Sequence, residues 1–168
     1  IKTPEDFQST LEKIADIGYQ AIQISGMSED VLPPEEIKKR ADDLGLKICG
    51  THEPSDKILE EPEAVIERLR ALETKFTAYP FPKDVDFFDP ASIDQVLEKL
   101  ENATQLMAKA GITLCYHNHA VEFIKQDGKP FYARLFEETS IQAELDTYWV
   151  QAGGASPLGW IQCLQGRL

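Results

Sequence analysis

The strongest constraint on this chain is a pattern that repeats along it. Short runs rich in apolar and β-branched residues begin near Ala21, Leu46, Phe76, Ile112 and Gln142, at spacings of 25, 30, 36 and 30 residues. That is the length of one strand plus one helix. The intervening stretches have helical periodicity and open on proline in a capping context: Pro33-Pro34, Glu61-Pro62, Asp89-Pro90 and Ser156-Pro157, with Thr3-Pro4 before the first strand. Phe131 to Glu138 adds a further helix, after a small polar hairpin expected to turn at Asp127-Gly128. Such alternation predicts a parallel sheet covered by helices. No glycine-rich phosphate loop follows any of the strands, which disfavours a doubly wound dinucleotide fold. The expected architecture is a (β/α)8 TIM barrel, of which about five βα units are present. The 168 residues are enough for one domain, spanning 1–168. They open inside a helix cap and end at Arg167-Leu168 without a closing element, so the domain is expected to be incomplete at both ends.

Charge narrows the partners. The net charge is −12, and the lysines and arginines are scattered rather than clustered. A polyanionic backbone would be repelled, so nucleic acid is not expected as a partner. No apolar run approaches the roughly 18 residues of a membrane span, so no membrane is expected either. Cys49, Cys115 and Cys163 are odd in number and match no zinc spacing. Cys49 and Cys115 lie in apolar runs and read as small core residues, and a cytoplasmic setting fits them.

In a parallel α/β architecture the chemistry sits at the C-terminal ends of the strands. All three histidines of the chain, His52, His117 and His119, stand at such ends. Strand parity sharpens the last strand. Ile141, Ala143 and Leu145 share the face toward the helices, while Gln142, Glu144 and Asp146 share the other. Two inward carboxylates are costly unless paired or metal-bound. A divalent cation is one solution. The other is an arginine partner for Glu144 and a helix-capping role for Asp146. On the preceding strand, Thr113, Cys115 and His117 face inward. His117 is a candidate ligand or general base, or a structural histidine bonded to backbone. His52 is a candidate substrate contact, although Ile48 shares its parity. Tyr79, Tyr148 and Trp149 suit the floor of a sugar pocket or ordinary packing. Glu122 reads as a group supporting the site, as a substrate contact, or as a solvated hairpin residue.

Tyr116-His117-Asn118-His119 with Glu122-Phe123, followed by Glu144-Leu145-Asp146-Thr147-Tyr148-Trp149, resembles the sugar phosphate isomerase/epimerase family with its xylose isomerase-like TIM barrel. Ile17-Gly18-Tyr19 leading to Ile22-Gln23-Ile24, and Gly50-Thr51-His52, resemble its early strands. The resemblance implies a divalent metal (manganese, cobalt, magnesium or zinc) at the barrel mouth, held by a Glu, an Asp, a His and a second Glu. The family Asp matches Asp146. The first family Glu matches His117, a departure, and the early-strand Glu is Gln23. The remaining His and Glu would lie beyond Leu168.

The expected function is therefore a metal-dependent isomerase or epimerase of a small-molecule sugar or polyol, working through an enediolate. Asp146, His117 and Glu144 are the candidate ligands, with His117 and Glu144 as candidate catalytic groups. His52, His119, Glu122, Tyr148 and Trp149 are candidate substrate contacts. A dehydratase of inosose type and a non-catalytic sugar-binding remnant are the alternatives, and a homo-oligomer is compatible with either reading.

Overall fold

The computed structural model describes residues 1–126 and 128–168. Its first half runs α1 (Pro4–Ile17), β1 (Ala21–Ile24), α2 (Pro34–Asp43), β2 (Lys47–His52), α3 (Ser55–Glu60), α4 (Pro62–Ala71) and β3 (Phe76–Tyr79). Its second half runs α5 (Pro90–Lys109), β4 (Thr113–His117), β5 (Lys125–Gln126), β6 (Lys129–Pro130), α6 (Phe131–Glu138), β7 (Gln142–Glu144), α7 (Thr147–Ala152) and α8 (Pro157–Cys163). Single 3-10 turns occupy Glu29–Val31 and Val121–Phe123.

The helix starts follow the capping logic of the sequence. Proline stands in the first turn of α1, α2, α4, α5 and α8, where its missing N–H costs nothing. Thr3, Asp89 and Ser156 accept backbone N–H groups from Asp6, Ala91 and Gly159. Gly18 ends α1 in the left-handed conformation, φ 100°, and returns its N–H to Ala15 O. The expected hairpin is the antiparallel pair β5–β6; of its predicted turn, Asp127 lies outside the described residues.

Strands β1, β2, β3, β4 and β7 form one parallel sheet in that order. A doubly wound sheet would reverse direction at a switch point. Consecutive neighbours, each joined through a helix on the same side, are the arrangement of a TIM barrel, of which this chain contributes five βα units. One core lies between β1–β2 and α1–α2, built on Phe7, Leu11, Ile37 and Ile48. A larger one joins β3, β4 and β7 to α4–α6 through Leu69, Leu100, Leu114, Tyr116, Leu135 and Ile141.

Helix-facing and inward residues alternate as parity requires. On β4, Leu114 and Tyr116 are buried against helices, while Thr113, Cys115 and His117 turn the other way. Strand β2 breaks this parity through a bulge. Ile22 pairs with Ile48, but Gln23 pairs with Gly50, so Cys49 has no counterpart on β1. Ile48 therefore packs in the helix-side core, while His52, four residues on, faces the opposite way. Cys49 was expected in the core and is instead exposed, because it is the extra residue of the bulge. Cys115 is half-buried on the inward face, not in the core. No helix of the described residues is long and apolar enough to cross a membrane.

Candidate functional site

The inward ends of four strands converge. His117 of β4 and Glu144 of β7 are directly paired in register, which sets their side chains next to each other on the inward face. The bulge in β2 brings His52 onto the same face. One ligand atom from each of His52, His117 and Glu144 falls within 4.8 Å of the others. His52 Nε2 lies 2.5 Å from Glu144 Oε1, and His117 Nδ1 lies 3.4 Å from the same oxygen. Gln23 of β1 donates through Nε2 to Glu144 Oε2 at 2.6 Å, which turns the other oxygen toward the histidines. Ser25 Oγ, 3.1 Å from His52 Nδ1, fixes that ring from behind.

Burial by itself would raise the Glu144 pKa. Hydrogen bonds from His117, His52 and Gln23 outweigh it and hold the carboxyl far below the usual carboxylate range. An ionised carboxylate beside two imidazoles is a donor group for a cation. Two imidazoles and one carboxylate form a donor set suited to zinc, cobalt or manganese, and three protein ligands leave positions open to a small molecule.

Asp146 stands apart from this cluster. Its Oδ1 accepts the Trp149 N–H at 3.1 Å and caps α7, so the expected strand ends before Asp146 and a helix starts there. Its backbone is gripped by Asn118, whose Oδ1 accepts from Asp146 N at 2.9 Å and whose Nδ2 donates to Asp146 O at 3.0 Å. Asn118 is fully buried, and nothing in the His117-Asn118-His119 motif announces its role. It is the bracket between the β4 and β7 ends.

Glu122 differs from one of its readings. It is fully buried, so it is not a solvated hairpin residue. Its carboxylate accepts from His119 N at 2.9 Å and from Tyr116 OH at 3.1 Å, which holds the turn carrying His119. Burial raises its pKa against those bonds. The His119 ring lies edge-on to His117 at 5.0 Å, next to Trp149 at 5.3 Å and Phe81 at 5.2 Å. Burial, with His117 beside it, lowers its pKa. Tyr148 is mostly exposed and edges onto Trp149. Tyr79 is core packing, fully buried against Tyr116.

His52, His117 and His119 open onto a cavity of about 600 Å³ at the strand ends. Its other walls include Met27, Phe81 and the Glu53–Arg68 ion pair, in which Arg68 Nε lies 3.1 Å from Glu53 Oε2. Sequence reasoning missed Arg68, because it stands on α4 rather than at a strand end.

The family model for the xylose isomerase-like TIM barrel matches residues 11–159. No curated protein matches the chain. Among solved structures, a sugar phosphate isomerase/epimerase from Parabacteroides distasonis superimposes with a TM-score of 0.84 at 23% identity, over 98% of this chain and 68% of its own. An L-ribulose 3-epimerase gives 0.76 at 18% identity, over 100% of this chain and 64% of its own. A family 2 AP endonuclease from Brucella melitensis gives 0.76 at 13% identity, over 99% and 74%. At these identities the likeness is one of fold.

Proposed function

Because the chain belongs to the xylose isomerase-like TIM barrel family, we propose that it is the ligand-bearing part of a metal-dependent sugar isomerase or epimerase, with the ion held by His52, His117 and Glu144. The observation that carries this reading is the convergence of those three side chains at the strand ends, within 4.8 Å. A divalent cation bound there would polarise a carbonyl oxygen and stabilise negative charge on adjacent oxygens. Glu144, with Oε2 held by Gln23 and Oε1 set between the two histidines, serves as the carboxylate ligand. Gln23 and Ser25 orient Glu144 and His52. His119, between two aromatic rings, orients the substrate beside the cluster. Asp146 keeps Trp149 in place by capping its helix. One fold relative is an endonuclease, but a net charge of −12 opposes binding of a polyanion and favours the sugar reading.

The test is metal content by elemental analysis on protein purified without chelator, followed by titration with manganese, cobalt and zinc. A single ion per chain is expected, and Glu144→Gln abolishes it. Absence of binding by the native chain, or full binding by Glu144→Gln, removes the reading. Epimerase and isomerase assays on free ketoses then follow with the metal that binds.

A further inference from the structure

Between α3, α5 and the loop that follows β3 lies a second cavity, of about 270 Å³. That is the liquid volume of about nine waters, at the small end of ligand pockets. It shares no lining residue with the cavity at the strand ends. Tyr79 reaches it from the core. Its ring is fully buried and packs on Tyr116 at 5.5 Å, but its hydroxyl has no hydrogen-bond partner among the described residues. Ser55, Asp56 and Asp84, which act on the phenol, all line the cavity, so the O–H stands at that wall. The Ser55 hydroxyl is spent on Phe81 O, at 2.6 Å. Burial pushes the phenol up to about 12, so it stays a donor. A buried donor without an acceptor is costly and calls for an explanation.

The charges beside it are unspent in both signs. Lys99 pairs with Glu60 and ties α5 to α3. Lys83, Asp84 and Asp56 line the same cavity, and among the described residues none of the three has an ion-pair partner. Leu59, Val85 and Val96 supply apolar wall. We propose that this cavity binds a small zwitterion of the α-amino acid kind, with a short apolar side chain. Its carboxylate accepts the Tyr79 O–H and faces Lys83, its ammonium faces Asp56 and Asp84, and its side chain lies on the apolar wall. Other ligand classes each leave a group unanswered. A simple anion satisfies Tyr79 and Lys83 but meets two uncompensated carboxylates. A simple ammonium satisfies the acids but brings no acceptor to the phenol. A hydrocarbon leaves the phenol unpaired. The site stands apart from the metal reading, since the two cavities have no residue in common.

The ligands to test are L-leucine, its deaminated and decarboxylated forms 4-methylpentanoate and 3-methylbutylamine, and uncharged glycerol, by saturation-transfer NMR and calorimetry on the full chain. L-Leucine is expected to bind, and the other three to bind about tenfold or more weakly, since each lacks at least one charge-assisted contact. Tyr79→Phe is expected to weaken leucine about tenfold while its Tm stays level or rises, because the deleted hydroxyl leaves no partner stranded. Lys83→Met, on the exposed loop, is expected to weaken leucine and to leave 3-methylbutylamine unchanged. No binding of leucine by the native chain, equal binding of any of the other three ligands, or undiminished leucine binding by either variant overturns the proposal. A lower Tm for Tyr79→Phe overturns it too, by showing that the hydroxyl is already paired inside the protein.

Discussion

Asp146 shows how one side chain can satisfy two readings that sequence cannot separate. An inward acid at a strand end and the cap of the following helix look alike in Glu144-Leu145-Asp146-Thr147. In the structure the carboxylate caps α7 through Trp149 N–H, while the metal-suited cluster forms from His52, His117 and Glu144. The variants Asp146→Ala and Asp146→Asn separate the roles. Asparagine caps about as well as aspartate, while alanine costs about 1 kcal/mol. Thermal unfolding is therefore expected to fall for Asp146→Ala and to stay close to native for Asp146→Asn, with metal affinity unchanged in the latter. A sharp loss of metal in a stable Asp146→Asn would make Asp146 a ligand. Glu144 and His117 were legible because parity alone turns them inward. His52 was not legible as a ligand, since its parity equals that of Ile48, and nothing in Cys49-Gly50 announces a bulge.

At the level of elements, strand order and helix starts were readable, because proline and capping residues mark the helices and spacing marks the units. Two short helices were not. α3 has one fully buried anchor, Ile58, too few positions for periodicity to register. α7 depends on the Asp146 cap, and the Asp146 backbone is held in place by Asn118 of the β4 end. α7 also leans on the 3-10 turn that carries Glu122. A Cβ on Gly153 would lie 2.9 Å from Phe123 Cδ2 and 3.0 Å from Ala120 O. Gly153→Ala is thus expected to destabilise by about 1–3 kcal/mol through overpacking. Calorimetry should show a lower Tm, by about 2–4 °C per kcal/mol for a chain of this size. An unchanged Tm would mean that the turn yields freely, and that Glu122 does not hold His119 firmly.

Over the whole molecule, three of the five tyrosines, Tyr79, Tyr116 and Tyr132, are fully buried in the shared core of sheet and helices. Burial pushes Tyr79 up to about 12 and the other two phenols upward as well. The folded chain then holds these protons more tightly than the unfolded chain does. Their contribution to stability is complete below the ordinary phenol value of 10.0 and is lost as pH rises through about 12. Circular dichroism and tyrosinate absorbance should therefore move together in an alkaline titration. Ionisation of these tyrosines ahead of unfolding would show that the core admits solvent. The contact between His52 and Glu144 bears on the molecule in another way. It joins residues 92 apart in the chain, across three intervening strand pairings. It cannot exist until those pairings do. Anything that grips both residues at once is, topologically, a cross-link closing a loop of that length, and its binding energy is counted directly as folding energy.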